Sequence, residues 1–540
     1  MIKSTTLFLL TAVSLIGCSS IHTSLTEDVS ENTEQNSDNA NVVIADVEWP
    51  APNYDLPLEI EEPAAEKPEV GDIWKRIREG FQISQIDHPR IENYRNWYSS
   101  NPSYMNRVSE RASRYMYGIV EKLDSRGMPL ELALLPIVES AFDPFAYSHA
   151  TASGMWQFMP ATGKQYGLKQ NYWYDGRRDI EAATNAAIEY LDDLQKSFDG
   201  DWLLALAAYN SGAGNVRRAI RRNKRAGKPT DFWSLRLPRE TQAYVPQLLA
   251  LTHLVANPEK YKTTLTPIPN QATYVVVDVD SQIDLAKAAE LADISIDDFY
   301  LFNPGFSRWA TDPDGPHSLL IPVEKADVFT SNLAQYPQDQ RVAWDNYKVV
   351  SGDSLNRISK RFNTSVDTIK SVNGLRNNLI RVGQQLLIPK ATQSADHYVF
   401  SAEQRVARKQ NQSSGKQGSK KIVHVVTNGD SFWKISRKYN VSVNQLTRWN
   451  GLAPRDILKL GQELVVWTSK PVELSAQQRQ GNKFIRTIAY QVRRGDSLAR
   501  IADKFNLSVA DIVQWNSINV KKYLQPGQRL KLKVDVTRTN

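Results

Sequence analysis

The segment Pro129–Pro160 reads PLELALLPIVESAFDPFAYSHATASGMWQFMP and contains one conspicuous carboxylate, Glu139. Positions 130–138 are almost all apolar, and a period of 3.6 residues places Glu139 on the same helix face as Leu132 and Leu135. This pattern predicts a helix buried in a core. Burial disfavours the ionised carboxylate and therefore raises its pKa toward the range in which it can donate a proton near neutral pH.

The end of this helix bears on whether the acid is accessible. Pro144 disfavours the α conformation at Asp143, so the helix should end just past Glu139 and open the acid onto a cleft. The alternative is a buried glutamate that is satisfied by a structural partner, because ion-pair networks also perturb pKa values. Periodicity alone leaves both interpretations open.

Three further motifs follow Glu139-Ser140 along the chain. They are GMWQFMP at 154–160, AYNSG at 208–212 and ETQAYV at 240–245. In this order the four motifs resemble those of the lysozyme-like lytic transglycosylases. The resemblance implies a mostly α, lysozyme-like catalytic domain at 72–266.

Helical patterns dominate the same region, with hardly any strand signal. The clearest are at 73–81, 105–124, 130–140, 180–198, 202–209 and 242–255. The resemblance assigns catalysis to Glu139. It assigns substrate binding to residues that line the family's cleft, and the matching positions here are Ser140, Gln157, Tyr209, Asn210 and Tyr244. Each of these five could instead be a satisfied hydrogen bonder in the core.

Glycoside cleavage ordinarily needs two carboxylates, and only one is obvious here. Asp143 precedes a proline, where a turn or cap role is expected. Asp175, Asp179 and Glu181 precede or open the next helix, where acids favour the N-terminal dipole, so we interpret them as structural.

A single acid is enough if the substrate supplies the nucleophile. The resemblance implies that Glu139 protonates the oxygen between N-acetylmuramic acid and N-acetylglucosamine and then deprotonates the muramyl 6-hydroxyl, which closes a 1,6-anhydro ring without water. Two alternatives stay open: a hydrolytic muramidase with an unrecognised second carboxylate, and a non-catalytic, peptidoglycan-binding lipoprotein. The seven histidines show no zinc-ligand spacing and no phosphate loop occurs, so no metal or cofactor is expected.

An internal repeat occupies the C-terminal part of the chain. Gly-Asp pairs end at Asp353, Asp430 and Asp496, each followed by Asn twenty positions later, and each unit closes with Gly-Gln and an apolar strand. Strand, helix, helix, strand is the predicted order, with a capping box at the second helix. The units resemble LysM modules, small α+β domains that bind N-acetylglucosamine-containing glycans.

We place three LysM modules at 346–390, 423–467 and 489–533. Their Gly-Asp pairs and Asn residues are predicted to make caps and turns rather than sugar contacts. A degenerate copy at 270–325 has Ile283 at the Asp position and is expected to be a spacer or brace for the catalytic domain. The segments 391–421 and 468–487 are rich in Gln, Ser, Lys and Arg, which predicts flexible linkers.

The only cysteine, Cys18, follows a short apolar run and ends LIGC at 15–18. This looks like a bacterial lipobox, which implies a signal peptide at 1–17, acylation of Cys18 with fatty acids such as palmitate, and a location at the periplasmic face of a Gram-negative outer membrane. Residues 18–71 are predicted to be an acidic disordered tether.

The chain has a formal net charge of +7 and a sequence pI near 9.1, which suit any polyanion. No nucleic-acid motif occurs, and a cell-wall polymer that bears carboxylates suits this charge as well as nucleic acid does, so charge alone does not choose between them. The resemblance implies that the partner is peptidoglycan glycan strands and that the protein is a membrane-anchored monomer.

Overall fold

The structure is a computed structural model that describes residues 71–469 and 485–535 of the 540-residue chain, the second range with gaps at 494–495, 506, 508, 517, 519–523 and 526. The predicted signal peptide 1–17, Cys18 and the tether as far as residue 70 lie outside the described residues, as does most of the segment 468–487. Every helix within the described ranges is too short or too polar to pass through a bilayer.

The described residues from 72 to 268 form a helical domain. Its ten α-helices are α1 (Ile73–Glu79), α2 (Pro89–Ser99), α3 (Pro102–Ser113), α4 (Met116–Asp124), α5 (Leu135–Ser140), α6 (Pro160–Gln165), α7 (Ile180–Ser197), α8 (Trp202–Ser211), α9 (Ala213–Arg225) and α10 (Arg239–Ala256), with 3-10 helices at Leu130–Leu134 and Phe232–Ser234. Helix α10 is buried along most of its length and packs against α2, α5 and α8. It therefore holds the candidate site against the centre of the core.

The predicted helix over 130–140 is wrong in its first half. Leu130–Leu134 is a 3-10 helix, and the α-helix α5 begins at Leu135. Pro136 explains the change, because proline lacks the N–H that a continuous helix would need and is tolerated only in a first turn. Glu139 consequently lies in the last turn of a short helix rather than deep within a long one.

The predicted helix over 105–124 is also divided, into α3 and α4. Tyr115 lies at the break, is buried, and donates a hydrogen bond from its hydroxyl to the carbonyl of Leu301 at 2.8 Å. The break thus lies at a contact with a distant part of the chain. Local periodicity cannot predict such a contact.

Four small units with the order strand, helix, helix, strand follow, as the repeat predicts. They comprise β1 (Tyr274–Asp278), α11 (Leu285–Leu291), α12 (Ile296–Phe302) and β2 (Ser318–Pro322); β3 (Ala343–Lys348), α14 (Leu355–Arg361), α15 (Val366–Val372) and β4 (Gln385–Lys390); β5 (Lys420–Val425), α17 (Phe432–Tyr439), α18 (Val443–Trp449) and β6 (Glu463–Thr468); β7 (Ile485–Gln491), α19 (Leu498–Lys504), α20 (Val509–Asn516) and β8 (Arg529–Asp535). In each unit the two strands pair antiparallel. The remaining helices are α13 (Ala326–Gln335) and α16 (Ala402–Gln412), with 3-10 turns at Val323–Lys325, Gln338–Gln340 and Ala395–His397.

The repeated asparagine has a structural role in all four units. In the second module the Asn450 carboxamide accepts a hydrogen bond from the N–H of Val465 at 2.7 Å and donates to the carbonyls of Val465 and Leu446. Asn373, Asn516 and Asn303 of the degenerate copy make the same three bonds. The side chain therefore ties the end of the second helix to the last strand.

One cap prediction is confirmed and one is wrong: the N-cap of α17 is Ser431 and not Asp430, which instead closes the turn before the helix. Ser442 and Gln445 form the predicted capping box, and the side chain of Asp430 accepts hydrogen bonds from the N–H and hydroxyl of Thr427. The corresponding Ser508 lies outside the described residues.

The degenerate copy packs against the helical domain, as expected of a brace. The Tyr274 hydroxyl donates to Glu181 on α7 at 2.7 Å, and the N–H of Asp175 donates to the carbonyl of Gly305 at 2.8 Å. These bonds join backbone and side chains across the boundary between the two parts.

The prediction that 391–421 is a flexible linker is wrong. Tyr398 and Phe400 are buried with the core of the degenerate copy, and α16 follows them. The Phe400 ring stacks on Phe145 of the helical domain with 4.7 Å between centroids, and the Tyr398 hydroxyl donates to Asp284. Two apolar anchors fix a segment whose overall composition is that of a linker.

Candidate active site

Glu139 projects from the last turn of α5 and is half-buried. Its Oε1 accepts a hydrogen bond of 2.6 Å from the hydroxyl of Tyr244, which α10 supplies. Burial raises the pKa of Glu139 from its ordinary 4.5 to about 8, the Tyr244 hydrogen bond opposes that rise, and the charge of Glu240 adds to it. A carboxyl group in this state is protonated at neutral pH and can act as a general acid.

A second buried acid in the same segment shows what a structural glutamate looks like. Glu131 is fully buried and accepts hydrogen bonds from the backbone N–H groups of Gln82 and Ile83 at 2.7 to 3.1 Å. Its lone pairs are occupied by the fold. Within the part of the chain that the structure describes, Glu139 accepts one hydrogen bond, from Tyr244, which leaves acceptor capacity for a substrate.

The chain leaves Glu139 through an unusual backbone. Ala141 and Phe142 both have positive φ, 51° and 58°, which is uncommon for residues other than glycine. Phe142 is fully buried, so packing of its ring compensates for the unfavourable conformation. The helix thus ends just past Glu139, as predicted, through this reversal three residues before Pro144.

The third and fourth motifs meet beside Glu139. The Tyr209 hydroxyl donates to the carbonyl of Trp156 at 2.9 Å. The Asn210 side chain accepts a hydrogen bond of 2.8 Å from the hydroxyl of Thr241. Burial, with the nearby charge of Glu139, raises the pKa of Tyr209 and of Tyr244 well above the ordinary phenol value, so both stay neutral donors.

Ser140 and Gln157 bind the second motif rather than Glu139. The Ser140 hydroxyl donates to the carbonyl of Met155 at 2.9 Å. The Gln157 amide donates to the carbonyl of Gly154 at 2.7 Å, and the Gln157 backbone has a positive φ of 47°. The five predicted binding residues thus make contacts within or between the four motifs, and among the described residues Tyr244 is the one of the five that hydrogen-bonds to the acid.

Gly154 is required by the close packing of this network. A β-carbon at this position would lie 1.9 Å from the carbonyl oxygen of Arg177, and its φ is +81°. No side chain fits there without displacing backbone. The glycine therefore sets how closely the second motif approaches the start of α7.

The other acids considered from the sequence have structural partners. Asp143 accepts a hydrogen bond from the N–H of Phe145, Asp179 caps α7 through the N–H of Ala182, and Asp175 pairs with Arg177 at 2.9 Å. Glu181 is paired with Lys122 at 2.9 Å. These contacts confirm the structural interpretation of all four.

The sequence interpretation missed two residues of the fourth motif. Thr241 is buried and holds Asn210, and Glu240 is exposed on the first turn of α10 with its charge acting on Glu139. Both residues belong to the same motif as Tyr244, and this shared motif was the feature of the sequence that could have identified them. In the second motif Met155, Trp156 and Phe158 are buried, whereas Met159 is 37% exposed.

Comparison with known protein families agrees with this arrangement. The family described as Transglycosylase SLT domain matches residues 116–232, which include the first three motifs. The family described as Lytic transglycosylase MltD, LysM-like domain matches residues 273–338, and LysM domain matches 347–389, 424–467 and 490–533.

Individual relatives give the same result. The chain is 38% identical over 408 residues to membrane-bound lytic murein transglycosylase D of Escherichia coli K12, an alignment that spans 72% of this chain and 85% of the relative. It is 37% identical over 188 residues to a putative tributyltin chloride resistance protein of Alteromonas sp., covering 35% of this chain and 89% of that one. The solved lytic transglycosylase Slt of Pseudomonas aeruginosa is 22% identical over 27% of this chain and 24% of its own, with a TM-score of 0.21, too low to define a shared fold.

Proposed function

Because the chain belongs to the membrane-bound lytic murein transglycosylase D family, we propose that Glu139 is the residue that performs its catalysis, first as acid and then as base. The protein is a peptidoglycan lytic transglycosylase. It cleaves the β-1,4 bond between N-acetylmuramic acid and N-acetylglucosamine without water and leaves 1,6-anhydromuramoyl ends.

The protonation state of Glu139 carries this proposal. With a pKa of about 8 the carboxyl group enters the reaction protonated and can pass its proton to the leaving glycosidic oxygen. The resulting carboxylate is basic enough to accept the proton of the muramyl 6-hydroxyl as that oxygen attacks the anomeric carbon. One residue then completes the cycle, with its proton balance restored.

Tyr244 is proposed to stabilise the carboxylate that exists between the two proton transfers. Its hydroxyl is 2.6 Å from Oε1, and hydrogen bonds to ionised groups are stronger than those to neutral ones. Ser140, Gln157, Tyr209 and Asn210 are proposed to shape the binding surface by holding the second and third motifs in place.

The three LysM modules bind the glycan. We propose that catalysis resides in 72–266 and wall binding in 346–390, 423–467 and 489–533, with 270–325 as a brace. Several weak sites on one chain raise the local concentration of an insoluble polymer more than a single site does.

The chain is a cell-envelope enzyme, and we propose that it is anchored as a monomer to the periplasmic face of the outer membrane through lipid on Cys18 after removal of residues 1–17. Multiple acyl chains on one residue are sufficient for stable membrane binding. In a lysate whose peptidoglycan has first been digested, so that the LysM modules cannot hold the protein to wall, Cys18→Ser should shift the protein from the membrane pellet to the soluble fraction. Retention of the variant in the pellet after a salt wash would refute the anchor.

The catalytic proposal is tested by Glu139→Gln, which keeps the shape of the side chain but removes its proton transfer. Turnover of purified peptidoglycan should fall by about 10² to 10⁴. Glu131→Gln is the matched control, since it alters a structural acid of the same segment. Parental rates in the Glu139 variant would contradict the assignment.

A further inference from the structure

Helix α9 and the segment that follows it carry a dense positive charge. Residues 213–239 contain nine arginines and lysines and one acid, whereas the whole 540-residue chain has a net charge of only +7. All nine cations are exposed.

Four of these cations form one face of the helix, which we call the basic face: Arg218, Arg221, Arg222 and Arg225. Their spacing of three and four residues aligns them along about 10 Å of the helix. The opposite side is buried through Val216, Ala219 and Asn223. The basic face is therefore fixed toward solvent by the packing of the helix.

The stability of the helix does not account for this face. Cations in the last turn of a helix are favoured by its dipole, which covers Arg222 and Arg225 but not Arg218 in the first half. Like charges four residues apart, such as Arg218 with Arg222, repel each other. Within the part of the chain that the structure describes, none of the four guanidinium groups forms an ion pair with an acid. An external anion would remove this repulsion.

The position of the basic face relates it to the substrate. Helix α9 begins at Ala213, three residues after Asn210 of the third motif, with only Gly212 between α8 and α9. The cationic segment then continues to Arg239, the first residue of the helix that supplies Tyr244. The cationic segment 213–239 is thus joined at its start to α8 and at its end to α10, and both of these helices carry residues of the site around Glu139.

Peptidoglycan supplies carboxylates at this place. Its peptide stems are acidic and are attached to N-acetylmuramic acid, the sugar whose anomeric carbon reacts at Glu139. Guanidinium groups bind carboxylates through paired N–H donors, which makes arginine a better reader of such groups than lysine.

We propose that the basic face of α9 binds the carboxylates of the peptide stem next to the bond being cleaved, so that stem-bearing glycan is preferred over bare glycan. The proposal rests on the transglycosylase function and adds a second element of substrate recognition to it. An anionic membrane surface is the competing occupant, and it is less favoured because a bilayer on this face would lie beside the elements that frame the site.

The test compares two substrates and two variants of the full-length protein. The substrates are peptidoglycan strands with their stems and the same strands after the stems have been removed by an amidase. The first variant is R218Q/R221Q/R222Q/R225Q, and the charge-matched control is R126Q/K164Q/K260Q/K262Q, four exposed cations elsewhere on the helical domain. Thermal melting confirms that each variant is folded.

The basic-face variant should raise KM about tenfold on stem-bearing strands, as expected for four exposed ion pairs, and leave kcat and the KM on bare strands unchanged. The KM of the parental protein on stem-bearing strands should rise with salt more steeply than that of the variant. The control variant should resemble the parental protein on both substrates.

Three results would overturn the proposal: the same rise in KM on both substrates, no rise on either, or loss of binding to phosphatidylglycerol vesicles with KM unchanged, which would assign the face to membrane. Failure of the transglycosylase function looks different, because the parental protein would then release no anhydro product from either substrate.

Discussion

Replacing Glu139 by glutamine should make the protein more stable, and the gain should grow as the pH rises. The folded protein holds the Glu139 proton up to a pKa of about 8, whereas the ordinary value of 4.5 applies once the chain unfolds and the side chain reaches water. Raising the pH therefore favours the unfolded state, which releases this proton first. The wild type loses stability from about pH 4.5 upward, and the loss levels off near pH 8.

The size of the effect follows from the difference between the two pKa values. Each pH unit between them costs about 1.4 kcal/mol, so the carboxyl group destabilises the fold by about 3 kcal/mol at pH 7. In a domain of roughly 200 residues this corresponds to a rise in Tm of roughly 6 to 12 °C for Glu139→Gln. At about pH 4.5 the pKa difference should contribute little to the difference in Tm between the two proteins.

Calorimetry of the full-length proteins at several values between about pH 4.5 and pH 8 measures this difference. Glu131→Gln is the control: its amide would point N–H groups at the backbone donors of Gln82 and Ile83, so it should lower Tm throughout the range. The reasoning fails if Glu139→Gln is no more stable than wild type at pH 7, or if its advantage is the same at both ends of the pH range.

Four other predictions concern the environment of the acid and the modules. Tyr244→Phe removes the hydrogen bond that opposes the raised pKa of Glu139, so the alkaline limb of the pH–rate profile should move to higher pH while kcat falls by about tenfold or more; an unmoved limb would contradict the role of Tyr244. Glu240→Gln removes a like charge and should move the same limb to lower pH with anhydro products retained, whereas a muramidase that used Glu240 as its second carboxylate would lose activity. Deleting residues 470–540 should weaken sedimentation with insoluble wall but leave turnover of soluble fragments within about twofold, and equal loss of both would argue against separate binding and catalytic roles. A longer deletion from Tyr347 should also lower Tm, because the Trp173 indole would lose its hydrogen bond to Thr368 and the core around Trp309 would lose Tyr398 and Phe400.

Local sequence rules predicted the parts of the structure that depend on local contacts. The Gly-Asp pair predicted a turn, and the Asp430 side chain accepts a hydrogen bond from the N–H of Thr427, three residues earlier. The capping box at Ser442 forms between residues three apart. The four motifs likewise named the residues that meet around Glu139.

Features set by distant contacts were not predictable in this way. The segment 391–421 has the composition of a linker, yet two contacts with residues more than a hundred positions away fix it. The Tyr398 hydroxyl donates a hydrogen bond to Asp284, and the Phe400 ring stacks on Phe145. The hydrogen bond from Thr241 to Asn210 joins helices that are separate in sequence. Pro136 was a local signal that the apolar pattern of the surrounding residues concealed.

The central claim concerns the step after Glu139 protonates the glycosidic oxygen. The muramyl 6-hydroxyl of the substrate, and not water, then attacks the anomeric carbon. Digestion of purified peptidoglycan in water enriched with heavy oxygen, followed by mass spectrometry of the fragments, tests it directly. We predict fragments with anhydro ends that contain no heavy oxygen. New reducing ends that each carry one heavy oxygen atom would contradict the account.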